Sequence, residues 1–154
     1  MPAAKLKRFL DDQRVKYVTI AHSTAYTSQE VAASMHIHGS ELAKTTVLKT
    51  DGKFVMAVLP APDHVDLERF GEVSGAKVVA LASEKEFMDL FPGCQVGAMP
   101  PFGNLYGLPV YVDEELARDR SIVFNAGTHT EAIRMDFADF KRLVEPRIMA
   151  FRRH

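Results

Sequence analysis

Residues 44–59 read KTTVLKTDGKFVMAVL, in which two β-branched and apolar runs flank the dipeptide Asp51-Gly52. Runs of this kind are typical of strands, and an Asp-Gly pair between them favours a tight turn because both residues tolerate positive φ. The stretch therefore predicts an antiparallel hairpin of Lys44–Lys49 and Lys53–Leu59. This hairpin is the clearest structural prediction that the sequence allows.

The rest of the chain reads as short strands mixed with short helices. Helices are predicted over 5–13, 31–35, 63–70 and 83–90 and from Asp136 onward, with Asp63 and Asp136 as caps and capping boxes beginning at Thr27 and Ser83. Strands are predicted over 17–20, 76–81, 110–112, 121–124 and 131–134, and residues 91–109 form a loop rich in Gly and Pro. This mixture indicates an α+β fold around a mixed sheet.

Length and composition predict one globular domain spanning residues 1–154. The chain is 47% hydrophobic and 25% charged, which are average values for a protein that buries a core. Cys94 is its one cysteine, so no internal disulfide can form and a reducing compartment is expected. We find neither a signal-peptide pattern nor an apolar run long enough to cross a bilayer, and therefore expect a cytoplasmic protein without membrane contact.

The formal net charge of −1 argues against a protein that coats nucleic acid, because non-specific binding needs many phosphates to be neutralised at once. It does not exclude local contacts with a polyanion. Basic residues are concentrated near both ends of the chain, and the alternatives are a modest basic patch and a surface of scattered charge.

Lys44 begins a predicted strand, where its ammonium could point into a cleft at the strand end. A flexible positive charge at such a place suits a phosphate or a developing oxyanion. The alternative is an edge lysine that discourages strand-to-strand aggregation.

The segment Gly97-Ala98-Met99-Pro100-Pro101-Phe102-Gly103 combines glycines, which allow close approach of the backbone, with prolines that stiffen it. Backbone N–H groups held in this way can bind a carbonyl or an oxyanion without a catalytic side chain. A tight loop with a structural role only is the alternative.

His129 lies between two predicted strands in Asn125-Ala126-Gly127-Thr128-His129-Thr130, at a sheet end where polar groups of active sites often collect. Imidazole titrates near neutral pH, which makes His129 a candidate base or orienting group. The alternative is a histidine that only forms hydrogen bonds within its turn.

Other catalytic classes find little support. His36 and His38 are two residues apart near a helix end, do not share a helical face and lack a set of Cys or carboxylate ligands, so no metal site is expected. Cys94 has no neighbouring base in sequence, and neither a Gly-x-Ser-x-Gly elbow nor a phosphate-binding glycine motif occurs. No cofactor is expected.

Five segments in order and spacing resemble the YbaK/prolyl-tRNA-synthetase-associated editing-domain family, which contains free-standing aminoacyl-tRNA deacylases. They are YTSQEVA at 26–32, LAKTTV at 42–47, MAVLP at 56–60, GAMPPFG at 97–103 and NAGTHTE at 125–131. The resemblance implies a compact α+β domain with a barrel-like mixed sheet and short surrounding helices. It also implies hydrolysis of a mischarged aminoacyl-tRNA in trans, with many relatives acting on tRNA for proline.

The family pattern assigns roles to residues of this chain. By resemblance, Lys44 contacts the terminal adenosine or its phosphate, Gly97 and Pro101 hold the aminoacyl group through their backbone, and His129 lines the same pocket. The residues expected to contact the substrate are Tyr26, Thr27, Met56, Ala98, Met99, Phe102, Gly127 and Thr128. Water would attack the ester with the oxyanion held by backbone dipoles, and either a terminal ribose hydroxyl or a side chain would activate that water.

The resemblance leaves the substrate and partners open. Alanine, serine, threonine and cysteine all remain candidates for the removed amino acid, since small pockets discriminate poorly against smaller substrates. The acceptor end of an aminoacyl-tRNA is the expected partner, with a synthetase or an elongation factor as a further one and no DNA. The rival functions are a non-catalytic module that binds the acceptor end of tRNA or a nucleotide, and a hydrolase of small free esters.

Overall fold

The computed structural model describes residues 2–21, 42–95 and 97–153, and within these ranges the fold centres on a mixed sheet. The strands are β1 (Tyr17–Ala21), β2 (Leu42–Thr50), β3 (Lys53–Pro60), β4 (His64–Val65), β5 (Val79–Leu81), β6 (Val110–Asp113), β7 (Ser121–Thr128), β8 (Glu131–Asp136), β9 (Arg147–Met149) and β10 (Arg152–Arg153). The helices are α1 (Pro2–Asp12), α2 (Leu67–Ser74), α3 (Glu84–Phe87) and α4 (Phe137–Val144), with 3₁₀ turns at Met88–Leu90, Gly103–Leu105 and Leu116–Arg118.

The sheet runs in the order β1-β8-β7-β2-β3-β6-β9, and β5 pairs with β2 beside this path. Strands β2 and β7, β3 and β6, and β6 and β9 are parallel, while the other neighbours are antiparallel. A separate antiparallel pair joins β4 to β10 near the end of the chain. The expected α+β fold, with a barrel-like mixed sheet and short helices, is confirmed.

The predicted hairpin is present as β2 and β3, with Thr50 opposite Lys53. Asp51 and Gly52 form its turn with φ of 48° and 85°, the positive values that such a turn requires. The Asp51 carboxylate also accepts hydrogen bonds from the backbone N–H groups of Lys77 and Val78, at 3.1 and 2.8 Å. These bonds attach the residues that directly precede β5 to the turn of the hairpin.

The two faces of the sheet bury different sets of residues. Ala43 and Val47 of β2 belong to the main core, which also contains Phe124 and Phe140. Side chains alternate between the faces of a strand, so Lys44 lies on the face opposite this core. Leu48, on the same face as Lys44, packs into a second core with Phe70 and Phe151.

Several predicted boundaries need correction. Asp66 rather than Asp63 caps α2, its carboxylate accepting from the backbone N–H of Arg69 at 3.1 Å. Asp63 is buried and pairs with Arg152 instead, so its carboxylate is already used. Asp136 stands at the N-cap position of α4, but its side chain makes no capping hydrogen bond.

Of the other local predictions, one is confirmed and one is too long. The capping box of Ser83 and Glu86 is present, whereas the strand predicted over 76–81 is confined to β5. Strands β4, β9 and β10 were not predicted. The capping box at Thr27 and the residues His36 and His38 lie outside the described residues.

Candidate active site

The glycine- and proline-rich loop and the histidine turn are held together by backbone hydrogen bonds. The N–H of Gln95 donates to the carbonyl of Gly127, and the N–H of Gly127 donates to the carbonyl of Ala98, both at 2.8 Å. The N–H of His129 donates to Oε1 of Gln95 at 2.7 Å. We call residues 95, 97, 98 and 127–129 the loop–turn unit.

Glycine is needed at two positions of the loop–turn unit. Gly97 has φ of 82° and Gly127 has φ of 97°, a region that residues with a side chain rarely adopt. The register between β7 and β8 also shifts between Asn125 and Thr128, where a bulge directs the chain into the turn. A Cβ placed on Gly97 would lie 3.5 Å from Cε1 of His129, an ordinary van der Waals distance, so the imidazole borders the open side of Gly97.

The remainder of the loop packs inward. Ala98, Met99 and Pro101 are buried, which fixes the loop behind the exposed Gly97. Met56 and Phe102, expected to line the pocket, are fully buried in the main core and offer no surface to a ligand in this conformation.

The remaining predicted contact residues divide into two groups. Gly127, Thr128 and His129 lie on the loop–turn unit, with Thr128 and His129 partly exposed. Tyr26 and Thr27 lie outside the described residues.

Lys44 lies on β2 beside β7, the strand that leads into the loop–turn unit. The parallel ladder of β2 and β7 ends at the pair Ala43 and Phe124, and Lys44 and Asn125 are the residues that come directly after this pair. Lys44 is partly buried, and burial lowers the pKa of its ammonium while the nearby Asp63 opposes that shift.

Asn125 carries a buried polar atom without a partner. In the described part of the chain, no hydrogen-bond donor reaches its Oδ1. Buried polar atoms are nearly always satisfied in folded proteins, so a bound water molecule is expected at this atom. Asn125 was not singled out from the sequence.

Beside Lys44 the surface opens into a cavity of about 470 Å³, lined among others by Thr46, His64, Asp66 and Arg153. This volume falls in the range of small-molecule sites. The cavity lies on the Lys44 face of the sheet, and we call it the Lys44 cavity.

Neither a metal cluster nor an activated thiol is found in the described ranges. Across residues 2–21, 42–95 and 97–153, no three His, Cys, Asp or Glu side chains lie close enough to bind one metal ion. Burial raises the pKa of the Cys94 thiol, with Tyr106 and Lys5 opposing the shift. Of the helices described, none is long and apolar enough to cross a membrane.

Comparison with known proteins identifies the family. The model of the aminoacyl-tRNA editing domain matches residues 22–143, which include Lys44 and the whole loop–turn unit. The chain belongs to the aminoacyl-tRNA editing domain family. The resemblance found in the five sequence segments is thereby confirmed.

Two kinds of curated relative share this editing domain. The chain is 30% identical to the multifunctional Ser/Thr-tRNA deacylase ProXp-y of Escherichia coli (strain K12), over 97% of this chain and 92% of that protein. It is 36% identical to a proline–tRNA ligase of Bacillus cytotoxicus, over 58% of this chain and 16% of the ligase. The similarity therefore covers nearly all of the deacylase and a small part of the much longer ligase.

Solved structures share the fold of this editing domain. A structure described as a candidate trans-editing enzyme for prolyl-tRNA synthetase superposes with a TM-score of 0.83 at 20% identity, covering 99% of this chain and 98% of the other. A hypothetical protein superposes with a TM-score of 0.87 at 18% identity, covering 97% and 99%. At these identities the likeness concerns the fold alone.

Proposed function

We propose that this protein is an aminoacyl-tRNA deacylase that releases a wrongly attached amino acid from tRNA. The observation that carries the proposal is the loop–turn unit, which places Gly97 and His129 beside each other at the end of the strand next to Lys44. These residues fall within the segment that matches the editing domain. The arrangement supports hydrolysis more than simple binding, because the backbone dipoles of the loop–turn unit follow the strand that neighbours the Lys44 cation.

The reaction is hydrolysis of the ester between the amino acid and the terminal ribose. The water oxygen bonds to the carbonyl carbon, the carbon–oxygen bond to the ribose breaks, and a proton passes from water to the ribose oxygen. The products are a free amino acid and uncharged tRNA. An ester carbonyl is already reactive, so positioning and stabilisation of the oxyanion can supply much of the rate.

The hydrogen bonds within the loop–turn unit restrict which N–H group can bind the oxyanion. The N–H groups of Ala98, Gly127 and His129 all donate within the unit. Gly97 is exposed, and its N–H has no acceptor in the described part of the chain. We assign the oxyanion contact to the Gly97 N–H.

Two side chains position the substrate. The Lys44 ammonium binds the terminal adenosine or its phosphate and strengthens the field on the ester, and His129 orients the aminoacyl end. The terminal ribose hydroxyl and His129 are the two candidates to take the proton of the attacking water.

The substrate class is a tRNA carrying a small wrong amino acid. Serine and threonine lead the candidates because a relative of nearly equal length is named a Ser/Thr-tRNA deacylase, and alanine and cysteine on tRNA for proline follow. The similarity to part of a proline–tRNA ligase supports a tRNA recognised by that synthetase. The reaction takes place in the cytoplasm, and a synthetase or an elongation factor is the docking partner.

A panel of charged tRNAs tests the function. Release of amino acid is measured from tRNA for proline charged separately with alanine, serine, threonine, cysteine and proline, and from tRNAs for serine and threonine carrying their own amino acids. Hydrolysis confined to particular species supports deacylation and names the substrate. Absence of release from every species, alongside measurable tRNA binding, would favour the rival non-catalytic module.

A further inference from the structure

The C-terminal strand β10 supplies a cation to the Lys44 cavity. Arg153 pairs directly with His64 of β4, and both residues line that cavity together with Lys44. Directly opposed residues of an antiparallel pair have Cβ atoms within about 5.5 Å, so their side chains lie on the same face of the ladder. Arg153 of β10 thus lines the same cavity as Lys44 of β2.

Neighbouring arginines of β10 have different surroundings. Arg152 contacts three carboxylates, with Asp63 at 3.1 Å, Asp113 at 3.3 Å and Glu115 at 3.4 Å. Arg153 points to the other side of the strand and, within the described ranges, forms no ion pair. Arg152 therefore holds the strand in place, and Arg153 keeps its charge available.

The position of β10 is fixed by further bonds. Oδ2 of Asp113, which is fully buried, accepts from the N–H groups of Phe151 and Arg152 at 2.9 and 3.0 Å. The carbonyl of Phe151 accepts from the N–H of Asp66 at 2.8 Å, and the Phe151 ring packs on Phe70 at 5.1 Å. The backbone that carries Arg153 is thus anchored independently of the Arg153 side chain.

The lining of the Lys44 cavity combines two kinds of surface. In the described part of the chain, neither Lys44 nor Arg153 has an ion pair within salt-bridge distance, although Asp63 lies near enough to Lys44 to oppose the lowering of its pKa. Asp66 is the one carboxylate of the lining, and it already accepts a hydrogen bond from the N–H of Arg69. His64 and Leu81 offer an imidazole ring and an apolar side chain. Cations with a flat ring and apolar surface are the means by which proteins hold single-stranded nucleic acid.

We propose that the Lys44 cavity is a nucleotide subsite for the single-stranded acceptor end of tRNA, in which Arg153 binds an internucleotide phosphate and His64 packs against a base. The inference rests on the proposed function, because it extends the Lys44 contact from the terminal nucleotide to those before it. The ester then lies at the loop–turn unit and the preceding nucleotides lie over the cavity. This arrangement gives a protein of net charge −1 a local cationic contact with tRNA.

Binding of a short RNA tests the subsite separately from catalysis. The probe is the single-stranded RNA 5′-ACCA-3′ with a fluorescent label at its 5′ end, titrated by anisotropy at several salt concentrations. Arg153→Ala is expected to weaken binding about tenfold, as for loss of a charge-assisted contact, and to make the salt slope shallower by about 0.7, the value for one phosphate of a single strand. Arg153→Lys should recover most of the affinity.

Arg142→Ala is the matched control, because it removes an equal charge from an exposed arginine whose recorded ion pair is with Asp139 on the same helix. It should change RNA affinity less than twofold. Each variant should unfold at the same temperature as wild type, as expected if β10 remains in place. An analogue of the RNA with uncharged methylphosphonate linkages should bind wild type and Arg153→Ala with equal affinity.

The outcomes separate this inference from the proposed function. If wild type deacylates tRNA but Arg153→Ala binds RNA as tightly as wild type, the subsite assignment is wrong and the deacylase proposal stands. Failure of wild type to bind the RNA at all also overturns the subsite. If no charged tRNA is hydrolysed while Arg153→Ala still weakens RNA binding, the proposed function fails and the subsite stands.

Discussion

The backbone N–H of His129 donates a 2.7 Å hydrogen bond to Oε1 of Gln95, which ties the histidine turn to the loop that carries Gly97. Sequence separation between the two residues is 34 positions, so this bond sets the relation of two distant segments. It orients the candidate active site through a residue that makes no proposed contact with substrate.

Gln95 is therefore expected to act as a positioning residue. Gln95→Ala removes the acceptor and should lower kcat for deacylation about tenfold with a small change in KM, because a slight misplacement of His129 is costly in a positioned reaction. Gln95→Glu keeps an acceptor oxygen of the same reach and should retain most of the rate. Equal rates for Gln95→Ala and wild type would show that the bond has no role in catalysis.

A side chain at Gly97 is expected to impair activity more than stability. Gly97→Ala places a methyl group against Cε1 of His129 on a backbone with φ of 82°, and should lower kcat/KM by at least about tenfold. Gly107→Ala is the control, since Gly107 has φ of 72° and open space where its Cβ would stand. Both variants should lose about 1 kcal/mol of unfolding free energy, but only Gly97→Ala should lose activity.

The charge of Lys44 should set an alkaline limit on the rate. Burial lowers the pKa of Lys44, so the ammonium loses its proton at a lower pH than an ordinary lysine. At pH values between the Lys44 pKa of the folded protein and that of the unfolded chain, the unfolded chain binds more protons, so the free energy of unfolding rises with pH. Over the same interval the folded protein loses the charge on Lys44 that catalysis needs.

Rate profiles from pH 6 upward, corrected for spontaneous ester hydrolysis, measure this limit. Wild type should decline at alkaline pH, and Lys44→Arg should give a flat profile whatever its absolute rate, because guanidinium remains charged. Identical alkaline declines in both proteins would assign the limit to another group.

Asp113 is expected to be the carboxylate on which the C-terminal strand depends most. It is fully buried, accepts backbone hydrogen bonds from Phe151 and Arg152, and pairs with the Arg152 side chain at 3.3 Å. Asp113→Ala should destabilise the protein by about 3–5 kcal/mol, as for a broken buried ion pair. Urea unfolding measures the loss, and a change below about 1 kcal/mol would contradict the account.

Glu115 offers a comparison within the same cluster. Its carboxylate lies 3.4 Å from the Arg152 guanidinium but is about one-third exposed, with 35% of its side-chain surface accessible. Glu115→Ala should therefore cost less than about 1 kcal/mol, as for surface pairs.

Cys94 is expected to be dispensable. Its thiol is held by burial in the protonated form at neutral pH, and its recorded polar contact is with Oη of Tyr106 at 3.8 Å. Cys94→Ala should deacylate within about twofold of wild type, and thiol alkylation should leave the rate unchanged. Loss of activity in the alanine variant would point to a thiol-dependent reaction.

Features set by neighbouring residues could be predicted from the sequence. The β2–β3 hairpin depends on Asp51 and Gly52 and on the strand-forming runs beside them, and the capping box depends on Ser83 and Glu86, so both were predicted correctly. Features that depend on distant residues were not predicted correctly. Asp63 and Asp66 are equally good caps in sequence, and the partner that occupies Asp63, Arg152, lies 89 positions away.

The same reasoning explains which site residues were missed. Lys44, Gly97 and His129 lie in segments with a family pattern, whereas Gln95 is significant only because Gly127 and His129 fold back onto it. Arg153 resembles any basic residue at a chain end until β10 is paired with β4. Met56 and Phe102 belong to family-like segments, but strand alternation and loop packing direct them into the core.

The most direct test of the deacylase proposal is release of amino acid from serine- and threonine-charged tRNA by wild type, Lys44→Ala and Lys49→Ala. Lys49 is a matched control, since it lies on the same strand and pairs with Glu86 at 3.0 Å away from the loop–turn unit. The account predicts release by wild type and Lys49→Ala and a rate about 100-fold lower for Lys44→Ala with unchanged thermal stability. Release by Lys44→Ala at the wild-type rate would contradict it.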